Sequence, residues 1–91
     1  MQKGGGTMEE IAIGKVVGYF GKIGVAAIKI TDGELRVGDK IKIKGHSTDF
    51  EQEVESMQME HENVEKAEAG FDIGMKVKEK VREHDIVYVV R

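Results

Sequence analysis

From Gly33 to Gly45 the chain reads Gly-Glu-Leu-Arg-Val-Gly-Asp-Lys-Ile-Lys-Ile-Lys-Gly. This is a turn, a short apolar step, a second turn and then strict alternation. A period of two places Ile41 and Ile43 on one face and Lys40, Lys42 and Lys44 on the other, which predicts a strand with one buried and one cationic face. Glycine at both ends suits backbone of positive φ. Related patterns predict strands over residues 11–19 and 25–30, the second with Ala26, Ile28 and Ile30 inward. A long strand over residues 50–59 should bend, because its apolar parity changes between Val54 and Met57. Residues 60–63 read as a loop and 64–67 as a short strand. A further strand follows over 71–77, with Ile73, Met75 and Val77 on one face, and 86–90 closes the domain. The predicted core is Ala26, Ile28, Ile30, Ile41, Ile43, Val54, Ile73 and Met75.

Two local features refine this picture. Gly14 and Gly18 fall inside the first strand, where glycine marks a bend or a close backbone approach. Val77, Val81 and His84 are spaced i, i+4, i+7, which would suit a helix face. No helix start signal precedes them, so strand followed by loop is the reading. Glu83-His84-Asp85 then forms a turn of the kind that ordinarily uses Gly, with His tolerating left-handed φ.

Composition agrees with an all-β class. The chain has 9 Ile and 11 Val but a single Leu, Leu35. Branching at Cβ suits a pleated sheet better than a helical core. Many short strands separated by turns predict a small closed antiparallel β-barrel, which leaves no exposed edge. At 91 residues the chain reads as one domain, residues 8–91. The polar, glycine-rich residues 1–7 read as an expression scar or disordered tail. There is no Cys, so disulfides and thiolate metal sites are excluded. No apolar run is long enough to span a membrane and no signal-type segment is visible, so the expectation is a cytoplasmic monomer.

Charge is segregated along the chain. Residues 11–45 carry a net +4 and residues 46–70 a net −7, inside a total of −3. A basic half and an acidic half could steer a polyanion onto one side. The candidate phosphate-contacting residues are Lys15, Lys22, Arg36, Lys40, Lys42 and Lys44, and the simpler reading of the same residues is a solvated outer face. Tyr19 and Phe20 are candidates for base stacking, although such residues more often serve core or barrel-rim packing.

Five segments together resemble domain II of the translational GTPases. They are Gly14-Lys15-Val16, Gly33 through Ile41, Val54-Glu55-Ser56-Met57, Ala67 through Gly74, and Asp85-Ile86-Val87-Tyr88. That domain is the β-barrel following the nucleotide domain in elongation factor Tu, elongation factor G and initiation factor 2. The resemblance implies the barrel fold and docking on RNA or a ribosomal particle. Similar barrels occur in collagenase-like peptidases as accessory modules, which implies the alternative of a protein-interaction or substrate-presenting role. The GTPase activity does not carry over. The chain has no phosphate loop and no Asn-Lys-x-Asp, so bound nucleotide is not expected.

No catalytic constellation emerges. His46, His61 and His84 are isolated in predicted loops and lack metal-ligand spacing. Glu51, Glu53 and Glu55 share a strand face that could hold an acid/base pair, but a solvated acidic face is the simpler explanation. Met57 and Met59, near Met75, read as core filler or a weak contact surface. No nucleophile, base and orienting group assemble, so the expectation is a non-enzymatic module with no cofactor and no metal.

Overall fold

Alternating apolar residues build ten strands, with no helix, among residues 9–91, which the computed structural model describes. The segment 1–7 lies outside the described residues. In chain order the strands are β1 (Glu10–Phe20), β2 (Val25–Ile30), β3 (Glu34–Arg36), β4 (Lys40–Lys44), β5 (Asp49–Glu53), β6 (Met57–Met59), β7 (Glu62–Val64), β8 (Lys66–Glu68), β9 (Asp72–Lys76) and β10 (Ile86–Val90). Eight form one antiparallel sheet in the order β5-β4-β10-β1-β2-β9-β6-β7, while β3 and β8 pair separately. The all-β class is as expected.

The sheet rolls up but is not closed by a continuous ladder, unlike the closed barrel that the turn spacing suggested. A side chain bridges the seam instead. Gln52 on β5 donates from Nε2 to the Lys76 carbonyl at 2.9 Å and accepts from the Lys78 N–H at 2.8 Å. Its amide thus stands in for a peptide group between two strand edges.

All eight predicted core residues are buried, none more than 3% exposed. Leu35 and Ala67 pair across β3 and β8 and carry the small sheet into the same core. Val77 and Val81 also pack inward from an irregular segment, as expected for strand followed by loop. Both glycines of β1 mark irregularities. Its register shifts between Ala12 and Gly14 against β10, and between Val16 and Gly18 against β2. A Cβ on Gly14 would lie 2.7 Å from the Lys29 carbonyl oxygen.

Two strand predictions need correction. Residues 50–59 are not one bent strand but β5 and β6, which pair with different neighbours. The parity change marks the break. Val54 leaves β5, donates to the Asp39 carbonyl at 2.8 Å and buries its side chain. Residues 64–67 likewise divide between β7 and β8, which lie in different sheets. Of the loop predicted over 60–63, only Glu60 and His61 form a turn, a tight hairpin, while Glu62 and Asn63 belong to β7. Glu60 and His61 have φ of 52° and 68°, the left-handed pair that a two-residue turn between twisted strands requires.

A turn design recurs at Arg36-Val37-Gly38-Asp39 and Arg82-Glu83-His84-Asp85. In each, the Asp carboxylate accepts from the Arg backbone N–H at 2.9 Å. The Asp N–H donates back to the Arg carbonyl, at 3.0 and 3.1 Å respectively. The third position is left-handed in both, with φ 97° at Gly38 and 77° at His84. His84 therefore occupies a glycine position at a cost of about 1–2 kcal/mol. Part of this is offset because glycine leaves the unfolded chain more freedom. His84→Gly should stabilise the fold by about 0.5 kcal/mol, raising Tm by roughly 2–4 °C. A lower Tm in thermal melts would contradict this reading of the turn.

Candidate functional site

The outer face of β4 was expected to be a free cationic surface. Lys40, Lys42 and Lys44 do point outward, but the fold surrounds them with acids. The adjacent strand β5 places Glu53, Glu51 and Asp49 opposite them in register. Lys40 Nζ lies 3.4 Å from Glu51. Lys42 Nζ lies 3.4 Å from Glu10 and 3.9 Å from Asp49, and Lys44 Nζ lies 3.1 Å from Glu10. Lys44 also sits 5.5 Å above the Tyr88 ring. The acidic and basic halves of the sequence thus interleave in space, because the hairpin between β4 and β5 joins them. The proposed separation of charge into opposite sides does not persist in the fold.

The other candidates are dispersed. Lys15 shares a cross-strand row with Lys44, through Ile86 on β10. Lys22 lies in the β1–β2 turn, and Arg36 on β3 binds Glu34 at 2.7 Å. Lys15 and Lys22 make no ion pair among the described residues. The Lys44 hydrogen bond holds the Glu10 carboxyl below its usual range, and Glu10 raises the Lys44 ammonium. The depressed Glu10 pKa favours folding above its unfolded value, and that contribution is lost as pH falls through the folded value. At such exposure, salt screens it strongly.

A second surface was not anticipated from the sequence. Gly18 on β1 pairs with Ala27 on β2, Ala27 with Gly74 on β9, and Gly74 with Gln58 on β6. The first three form an outward-facing row almost without side chains. Phe20, Val25 and Lys76 line one side, and Lys15, Lys29 and Asp72 line the other. The result is a shallow trough whose lining includes Phe20, Ile23, Val25, Ala27, Gln58 and His61. Phe20 is 57% and Ile23 61% exposed, more than any other large apolar residue described. Phe20 was a stacking candidate and is available there, whereas Tyr19 packs against the core.

No group of three or more His, Asp or Glu side chains among the described residues is placed to hold a metal ion. No helix of the described residues is long and apolar enough to cross a membrane.

These strands and paired turns have a family. Elongation factor Tu domain 2 matches residues 24–90, and the chain belongs to that family. Its relatives include a collagenase of Porphyromonas gingivalis strain W83, 45% identical over 85 residues, covering 92% of this chain and 20% of that protein. An uncharacterised protease of Methanocaldococcus jannaschii is 41% identical over 83 residues, covering 90% of this chain and 20% of that protein. The chain spans about a fifth of the length of these curated relatives. The C-terminal domain of a candidate U32 peptidase from Geobacillus thermoleovorans superposes with a TM-score of 0.79 at 22% identity. That match covers 85% of this chain and 96% of the other, and it shows the fold.

Proposed function

We propose that this chain is a non-catalytic accessory module of a collagenase-type peptidase, supplying a protein-contacting surface beside the catalytic body. The observation that carries this reading is the identity of 41–45% across nearly the whole chain with about one fifth of two proteases. The trough supports it as a contact surface, in which the exposed Phe20 and Ile23 stand beside the polar Gln58, Glu60, His61 and Asp72. RNA docking draws no support from the comparisons. The carboxylates of Glu10, Asp49 and Glu51 also reduce the charge that a polyanion would meet on β4.

Incubated alone with gelatin, the chain should release no new amino termini. Release that scales with chain concentration and survives repurification would overturn the non-catalytic assignment.

A further inference from the structure

The strand order leaves β5 with one unpaired side. It ends the eight-stranded sheet and pairs only with β4. The other terminal strand, β7, has three residues, and its continuation is engaged where the Val37 N–H donates to the Glu65 carbonyl at 3.0 Å. β5 has five residues, and its register with β4 is unbroken.

The direction of its backbone groups follows from the ladder. The Val54 N–H donates to the Asp39 carbonyl and the Gly45 N–H to the Thr48 carbonyl, both at 2.8 Å. These contacts continue the register that pairs Ile41 with Gln52 and Ile43 with Phe50. Bonded and non-bonded pairs alternate in an antiparallel ladder. Phe50 and Gln52 therefore bond to β4, while Asp49, Glu51 and Glu53 turn their N–H and C=O groups away from it. Among the described residues, none of these three N–H groups has an acceptor, and the carbonyls of Asp49 and Glu51 have no donor. The open edge is about 14 Å long. The Gln52 bridge to Lys76 and Lys78 holds it in place, so little of the module must be ordered when a partner adds to it.

Charge selects the occupant. A second copy pairing antiparallel through the same edge and centred on Glu51 would set Glu51 opposite Glu51 and Asp49 opposite Glu53. Like charges directly opposite are destabilising, whereas opposite charges stabilise the pair. An added strand with Lys or Arg at every second position sets a cation beside each acid. The β4 side already shows this pattern, with Lys40 at 3.4 Å from Glu51 and Lys42 at 3.9 Å from Asp49. Glu53 has no ion pair among the described residues.

We infer that the free edge of β5 takes up, by strand addition, an extended segment of a partner protein that carries Lys or Arg at alternate positions. This edge is separate from the trough, and the inference goes beyond the accessory-module reading without resting on it.

The experiment titrates the isotopically labelled chain with a capped peptide alternating lysine and valine, followed by NMR. The amides of Asp49, Glu51 and Glu53 should shift and exchange more slowly with solvent, with millimolar or tighter affinity. A peptide of the same composition with its lysines and valines in separate blocks should bind at least tenfold more weakly, as should one alternating glutamate and valine. Glu51→Pro removes an outward N–H that the ladder to β4 does not use, and proline is tolerated on that side of an edge strand. Glu51→Lys reverses the central charge. Each variant should keep its melting temperature within a few degrees and weaken binding at least tenfold.

Absence of binding at millimolar alternating peptide would overturn the inference. So would equal binding of the block peptide, equal binding by either folded variant, or shifts confined to strands other than β4 and β5. Dimerisation of the chain alone with protection of β5 would overturn the choice of occupant.

Discussion

Gly45→Ala is expected to destabilise the fold by about 2–4 kcal/mol, far more than an ordinary change at the end of a strand. The added Cβ would overlap Asp85 Oδ1 and lie 2.6 Å from its Cγ. Asp85 cannot simply swing away. It is 3% exposed, and its other oxygen accepts the Arg82 N–H at 2.9 Å. Moving the carboxylate would leave that backbone donor without its partner, which costs about 1–3 kcal/mol. The backbone would otherwise have to part where β4 meets β10. Asp85→Ala alone should also destabilise, but combining it with Gly45→Ala should cost less than the sum, because the obstruction is gone. Urea titrations of the four proteins would measure this coupling. Simple additivity would contradict the contact.

Leu35→Ala should cost about 2–5 kcal/mol, the usual range for emptying a fully buried leucine site. Leu35 is the sole leucine of the chain and is fully buried. It lies on a three-residue strand paired only with the equally short β8. Such a ribbon is not stable by itself. Its attachment depends on Leu35 and Ala67 reaching the common core. Truncation should therefore raise hydrogen exchange first at β3 and β8, before the eight-stranded sheet opens. Uniform acceleration across all strands would instead place Leu35 in the global unfolding unit.

Legibility in the sequence followed sequence distance. The strict alternation through Ile41 and Ile43 gave β4 and its faces, and the branched residues identified the core. Gly14 and Gly18 correctly marked the irregularities of β1. The break between β5 and β6 was harder to place, since Val54-Glu55-Ser56 contains neither Gly nor Pro. The hairpin at Glu60-His61 was hidden for the same reason, as its left-handed residues are not the usual Asn-Gly. Gly45 was read as a positive-φ position, yet its role is to admit Asp85 from forty residues away.

The surfaces were the least legible part. Charges far apart in the sequence became neighbours when β4 paired with β5. The trough was invisible because it is made from missing side chains. Gly18, Ala27 and Gly74 belong to three strands, and only their register brings them into one row. Phe20 is a stacking candidate in the sequence, but nothing near it indicates its exposure or the floor beside it.

The most direct measurement of the proposed role is a segment exchange in the Porphyromonas gingivalis collagenase. The 85-residue region matching this chain would be replaced by this chain in one protein and by a flexible linker in another. Specificity constants would then be compared for gelatin and for a short peptide too small to reach beyond the catalytic body. The exchanged protein should retain gelatin hydrolysis. The linker protein should lose at least about tenfold on gelatin and little on the short peptide, because a second contact raises the effective concentration of a long substrate only. Unchanged gelatin hydrolysis by an intact, folded linker protein would contradict the accessory role.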